Sequence, residues 1–543
     1  MTFSEIAPEW WPFSSGTTAI VAGITLYFIA YQISSRKIDP REPPVIAPAV
    51  PLIGHLLGMA LLGGRYIKNL GIRNQQLPIF TLPVPGSRIY VVTDPSLAAA
   101  VQRASRILSF NPVVPEVTQR VLGLDDATVE ITRKNLDPGP GDERGFLPDI
   151  QDMVSVWLGP GEYLSELSLD AATEMKNEIA AYASTSNRGV TDLLSWVRHL
   201  VTLSTARYLY GPENPIALDP ALEGSFWDFD HGLGSLLMNI VPPITARRAY
   251  TGREKLSEAL LTYLEAGRHK SSGSKIVQKR VEIALEHGWA MPAIAREELS
   301  FLFAGIVNAT TSTFWILLHL YADPTLLTTV RREIEAILSP RTDRPGYALR
   351  ISDLRDKCPV LVAVYRECLR LGSDTYSTRV VKEDHLLANQ YFLKKNAVVQ
   401  IAGGVIHADQ RIWGADASDF NPKRFLDKTN SNSDAEATDP GSGTKPRTKQ
   451  SNAFHPAAFR AFGGGKTLCP GRHFAMNEIL AFVALVVLQF DMKPARGGKI
   501  DVPPKNDGVL PVHILEPVRA VEVVISKRQD GFAMDGLDVE FAM

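Results

Sequence analysis

Cys469 lies in the run Ala-Phe-Gly-Gly-Gly-Lys-Thr-Leu-Cys-Pro-Gly-Arg-His-Phe-Ala-Met, residues 461–476, and two chemistries compete for that run. Gly-Gly-Gly-Lys-Thr looks like the end of a phosphate-cradling loop. Such a loop needs a glycine five positions before the final glycine of Gly-Lys-Thr, directly after a strand. Counting back from Gly465 reaches Arg460, and Pro456 stands where the strand should run, so the phosphate reading fails. The second chemistry is a thiolate presented to a metal. Phe462, Gly465, Cys469 and Gly471 fit the spacing Phe-x-x-Gly-x-x-x-Cys-x-Gly. Glycines allow a tight turn whose backbone N–H groups aim at the sulfur, and such hydrogen bonds tune a metal ligand. After Gly471 the sequence predicts a long apolar helix whose N-terminus favours a negative sulfur.

The other two cysteines, Cys358 and Cys368, have no Cys-x-x-Cys spacing and read as core residues. An odd, sparse set argues against a disulfide framework and for a reducing compartment. Glu367 and Arg370, three apart in Glu-Cys-Leu-Arg, form an ion pair that on an exposed helix is worth a few tenths of a kcal/mol. Arg424 lies downstream in Phe-Asn-Pro-Lys-Arg-Phe. Residues 294–322 are apolar nearly all round, which predicts a helix buried on every side. Ala304, Gly305 and Asn308 fall inside it.

The elements that must position these groups are mostly helices. The patterns at 191–210 and 253–268 are helical, 78–94 reads as a hairpin around Pro-Gly, and strand signals return at 376–402. No repeat appears, and no alternating strand–helix period. The expected fold is one large, mainly α domain with small β-sheets over residues 56–543, with a disordered insert at 428–452 rich in Ser, Asn, Asp and Gly. The 543 residues carry a net charge of −2 and no long basic run, which excludes a nucleic-acid partner. Residues 17–33 are uncharged, enough at about 1.5 Å per residue to cross a core of roughly 30 Å. Arg36, Lys37 and Arg41 follow, which places the rest of the chain in the cytosol. A signal peptide lacks its basic n-region here, so 1–35 is expected to be an uncleaved transmembrane helix. Residues 36–55 are expected to be a stiff, Pro-rich hinge.

Together these segments resemble the cytochrome P450 superfamily in order and spacing across essentially the whole chain. The resemblance implies that fold, with heme b as the cofactor and its iron held by the thiolate of Cys469. A thiolate ligand favours O–O cleavage. It also implies that Glu367, Arg370 and Arg424 form a structural ion triad. The anchor and hinge match microsomal members, which implies a single-pass protein of the endoplasmic reticulum membrane with a cytosolic catalytic domain. The implied partners are an NADPH-dependent flavoprotein reductase, with cytochrome b5 as a second donor, and a lipophilic small molecule.

Two motifs depart from the family. Two residues before the cysteine, where a heme-propionate-binding Arg or His is usual, stands Thr467. Arg379 aligns with another propionate Arg; its plain alternative is a solvated strand residue. No Trp-x-x-x-Arg segment appears, which leaves a third propionate partner unassigned. In the long helix, Ala304-Gly305-Ile306-Val307-Asn308-Ala309 carries Val307 for the acid and Asn308 for the Thr of the usual proton relay. Asn308 can orient a water but does not titrate; its plain alternative is a helix-bend residue bonded to the preceding turn. This variant resembles the branch containing sterol 7-alpha-hydroxylase and prostacyclin synthase, and is similar to fungal secondary-metabolism members. The expected activity is monooxygenation of a sterol, terpenoid or other secondary metabolite, with Ala304, Gly305 and Asn308 at the reacting centre. A heme-thiolate isomerase or dehydratase needing no reductase is one alternative. A non-catalytic heme- or ligand-binding membrane protein is another.

Overall fold

Pro-rich and β-branched stretches build one side of the molecule and helical runs build the rest. The computed structural model describes residues 23, 25, 38–50, 53–184, 189–426, 454–529 and 536–541. The anchor over 1–35 and the insert over 428–452 lie outside the described residues, save Gly23 and Thr25.

α1 is Gly54–Leu62, β1 Ile79–Val84, β2 Ser87–Val92, α2 Pro95–Arg103 and β3 Leu108–Ser109. The helices α3 (Glu162–Ser184), α4 (Leu193–Tyr210), α5 (Ala221–His231), α6 (Arg247–Glu265) and α7 (Met291–Ala322) follow. Then come α8 (Pro359–Gly372), β4 (Tyr376–Val381), β5 (Val398–Ala402) and α9 (Arg472–Gln489). The predicted hairpin forms as β1 and β2, turning at Gly86, whose φ of 72° suits glycine. The five strands make one sheet in the order β1-β2-β5-β4-β3; β5 runs parallel to β2 and antiparallel to β4, with Arg379 opposite Val399.

Part of the Pro-rich segment expected as a stiff hinge over 36–55 is bound to the sheet. The Thr81 N–H donates to the Pro44 carbonyl at 2.8 Å, and the Ile46 N–H donates to the Thr81 carbonyl at 3.0 Å. The Thr81 hydroxyl donates to the Pro43 carbonyl at 2.8 Å. Glu42 is buried, accepting from the Tyr90 hydroxyl at 2.7 Å and from Arg88. Prolines cannot donate to a ladder, but their carbonyls accept from an edge strand, and β1 is that edge.

Two apolar cores flank α7. One gathers α4, α7, α8 and α9; the other gathers α4 to α7 with residues 122–164. Among the described residues, α7 and α9 are long and apolar enough to cross a membrane, yet their apolar windows are 72% and 78% buried inside the protein. They are core helices, as apolarity on every face requires.

Candidate active site

The Cys469 loop closes on itself through the Cys469 N–H, which donates to the Phe462 carbonyl at 2.9 Å. Gly465 has φ of 62°, and a Cβ there would lie 2.8 Å from the Gln102 Cβ of α2, so both conformation and space demand glycine. α9 starts at Arg472, directly beyond the loop. Burial pushes the Cys469 thiol pKa up, and the Gly471 N–H and Arg472 only partly oppose that. The loop alone therefore does not hold the sulfur as a thiolate at neutral pH; a bound metal cation would. Cys358 and Cys368 are fully buried core groups, and burial pushes the Cys358 thiol up to about 12.

Glu367, Arg370 and Arg424 come together as predicted. Arg370 Nε and Nη2 donate to the two Glu367 oxygens at 2.9 and 2.8 Å, and Arg424 Nε donates to Oε1 at 2.9 Å. Arg370 Nη1 donates to the His407 and Ala417 carbonyls, and Arg424 Nη1 to the Trp413 carbonyl. The Asn421 N–H adds a fourth donor to the Glu367 carboxylate, the third on Oε1, at 3.0 Å. A pair this buried holds only because its remaining donors and acceptors are also satisfied.

A second pair of buried arginines is built differently. Arg379 is 3% exposed and Arg460 2%, so the solvated reading of Arg379 does not hold. Neither has a carboxylate partner among the described residues. Arg379 donates to the Thr378 carbonyl at 2.7 Å and to the Thr467 hydroxyl; Arg460 donates to the Ser377 hydroxyl at 3.0 Å. Arg460 Nε has no acceptor. Burial pushes both guanidinium pKa values down to about 10, Arg379 adding its charge against Arg460. His407 fixes Arg460 from behind. Its Nε2 accepts from the Arg460 N–H at 2.8 Å, while its Nδ1 faces the Ser373 carbonyl at 2.9 Å, which defines one neutral tautomer. Burial pushes the His407 pKa down to about 3.

On α7, Ala304 and Asn308 are exposed in the middle of a buried helix, one turn apart and so on one face. Val307 is fully buried and does not reach that face. Gly305 turns away from that face: a Cβ there would meet Thr205 and Leu209 of α4, so it serves close helix packing. Asn308 does not bond the preceding turn, contrary to its plain reading. Its Oδ1 accepts from the Ile514 N–H at 3.0 Å. The hydroxyls bonding within the helix belong to Thr311 and Ser312, which donate to the carbonyls of Val307 and Asn308.

Residues 253–515 match the family model described as Cytochrome P450. The chain is 32% identical over 523 residues to cytochrome P450 monooxygenase nodJ of Hypoxylon pulicicidum, covering 94% of this chain and 95% of the relative. The chain belongs to the cytochrome P450 family. It is also 24% identical to mouse cytochrome P450 7B1, over 87% of this chain and 89% of the relative, in line with the 7-alpha-hydroxylase-like branch. The crystal structure of the cytochrome P450DA heme domain superposes with a TM-score of 0.65 at 16% identity, covering 90% of this chain and 98% of that one. The P450 fold is thus the fold of this chain, and its enzyme class is monooxygenase.

P450 enzymes carry heme with iron on a cysteine thiolate. The residues here fit that group. Two buried guanidinium groups without a counter-charge suit the two carboxylates of a heme, and an open loop cysteine suits its iron. Arg460 is the residue that sequence reasoning missed. Its one signal is a lone charge in the apolar run Ala457-Ala458-Phe459-Arg460-Ala461-Phe462.

Proposed function

We propose that this P450 monooxygenase oxidises a lipophilic small molecule at a membrane, with Cys469 as the iron ligand and Arg379, Arg460 and Thr467 on the heme carboxylates. The bound heme supplies dioxygen activation. The chain's own residues do the rest. The loop from Phe462 to Gly471 presents the sulfur. Arg379 and Arg460 neutralise the carboxylates, and Thr467 orients Arg379. Ala304 leaves room beside α7, and Asn308 supplies a polar group where the family's Thr would stand. The observation that carries this reading is the buried pair Arg379 and Arg460, without a carboxylate partner among the described residues, with Arg379 bonded to Thr467, two positions before the one cysteine that is not fully buried.

Lipophilic substrate and membrane seat draw support from the surface. Leu56, Leu57 and Leu61 of α1 are exposed, as are Ile240 and Ile244; Leu510, also exposed, lies between the two groups. A Cβ on Gly63, at the end of α1, would touch Gly508, and one on Gly234 would touch Leu510, so these segments form one continuous apolar face. A face of this kind marks an interaction site, and a lipid surface suits it. The anchor over 1–35 and attachment to the endoplasmic reticulum belong to the same proposal, as do electrons from an NADPH-dependent reductase. A sterol, terpenoid or related metabolite is the substrate class we favour, from the 7-alpha-hydroxylase-like branch.

The test is the carbon monoxide difference spectrum of the reduced protein in membranes, beside Cys469→Ala. A thiolate-type Soret band lost in the variant is expected. Its absence from heme-loaded wild type refutes the assignment. Turnover of lipophilic compounds that proceeds without NADPH would move the reading to an isomerase.

A further inference from the structure

Asn308 is held from outside its helix, and the device that holds it ends in a buried carboxylate. Its Oδ1 is taken by the Ile514 N–H. Ile514 belongs to a segment pinned on both sides. The Trp315 indole N–H donates to the Leu515 carbonyl at 2.9 Å, and the Leu515 N–H donates to the Gly372 carbonyl at 3.1 Å. The residue before it, His513, points its Nδ1 at the Ile514 carbonyl at 2.9 Å and its Nε2 at Asp230 Oδ1 at 3.3 Å. Acceptors at both ring nitrogens call for the doubly protonated imidazolium. Asp230 closes α5, its side chain fully buried, and neither oxygen accepts an aligned hydrogen bond. A buried carboxylate without hydrogen-bond donors is costly unless a cation stands beside it. His513 is the nearest such group: from α5, His231 Nε2 is 4.0 Å from Oδ2, and it also faces Glu516 at 3.5 Å. From α4, Arg198 is taken by Glu516 and His231. From α7, the Phe303 ring meets His513 edge-on at 6.4 Å.

We propose that Asp230 and His513 are positioning residues for the reaction: their ion pair fixes the 513–514 turn, so that the Ile514 N–H occupies Asn308 Oδ1 and leaves the Asn308 NH2 as a fixed donor toward the reacting centre. This rests on the placement of Asn308 given above. The donor in this chain is then oriented by a charge pair drawn from α5 and the C-terminal segment, 283 residues apart in sequence. The arrangement is pH-dependent with a definite sign. Burial lowers the His513 pKa, but Asp230, with help from the Ile514 carbonyl and Glu516, raises it above the ordinary histidine value overall. The ion pair is therefore present below that raised pKa and lost as pH rises through it, and the turn loosens on the alkaline side.

The experiment uses the full-length, heme-loaded protein in lipid nanodiscs, with carbon monoxide as the probe of the distal side. The infrared C–O band reports hydrogen-bond donors near the bound gas. Hydrogen exchange of the peptide containing Ile514 reports the turn without reference to heme. In wild type the band shifts as pH rises through the His513 titration. Asn308→Leu moves the band fully. Asp230→Asn and His513→Gln move it part of the way in the same direction and abolish the pH step. Both also speed exchange at Ile514 by about tenfold, the factor expected for loss of one ordinary hydrogen bond. If Asn308→Leu moves the band while Asp230→Asn, His513→Gln and pH leave it unchanged, the positioning role is refuted and the Asn308 placement stands. If Asn308→Leu leaves the band unmoved, the Asn308 placement falls, and the positioning role with it. The wild-type pH titration needs no variant, so a variant that misfolds does not stop the test.

Discussion

Two buried arginine groups in this molecule differ in a single component. Arg370 and Arg424 share Glu367, and every donor and acceptor around them is taken. Arg379 and Arg460 are as buried, yet they share hydroxyls and carbonyls and no carboxylate. A fold neutralises the charges it uses as structure. Charges it leaves unneutralised cost stability, because desolvation favours the neutral form, and they make sense only as half of a complex. The first group belongs to the fold and the second to the ligand.

The sharpest way to break that comparison is to make the groups alike. Glu367→Gln leaves Arg370 buried without a counter-charge and Arg424 with Asp416 alone, 3.1 Å away, and should cost about 3–5 kcal/mol, in apoprotein and heme-bound protein alike, read by denaturant unfolding. If only the heme-bound form weakens, the division between fold and ligand fails. Arg379→Leu or Arg460→Leu should do the reverse. Each leaves the apoprotein as stable as before, or more so, but loses charged hydrogen bonds worth about 1.5–3 kcal/mol to the heme. Transfer of heme to apomyoglobin should then run roughly ten- to a hundredfold faster. His407 sharpens the comparison through pH. Its folded pKa of about 3 lies below the ordinary histidine value, so its contribution is complete above about pH 6.5 and is lost as pH falls toward 3. Melting at pH 7 and pH 5 should differ by about 2 kcal/mol from this group, a difference absent in His407→Gln. Thr467→Val is the mildest change. It removes the hydroxyl that orients Arg379 and should speed heme transfer only a few-fold, about 1 kcal/mol or less.

What could be read from the sequence was whatever lay in one short window. Cys469 with its glycines and the Glu367–Arg370 spacing were legible, because turn and helix geometry set those distances locally. Arg424 was legible only through resemblance, since its partner lies 57 positions away. Arg379 drew notice but not its burial, because a strand residue's face depends on which neighbours flank the strand. Arg460 had only its apolar setting as a signal: its neighbours Ser377 and His407 arrive from separate elements, and no periodicity links them. The same limit hid the tie from Asn308 to Ile514, where a side chain read against its own helix bonds a segment 206 residues on. Gly305 was assigned to chemistry from its motif and serves packing against α4 instead.

The chain over residues 42–46 is hydrogen-bonded to the outer strand of the sheet, and its Glu42 is buried against Tyr90. Its consequence is mechanical. A tether transmits pull but not twist, whereas a strand clamped along a sheet edge transmits both. Were an anchor to precede it, the catalytic domain would not hang on a free tether, because the sheet takes hold of the chain from Glu42 onward rather than at residue 56.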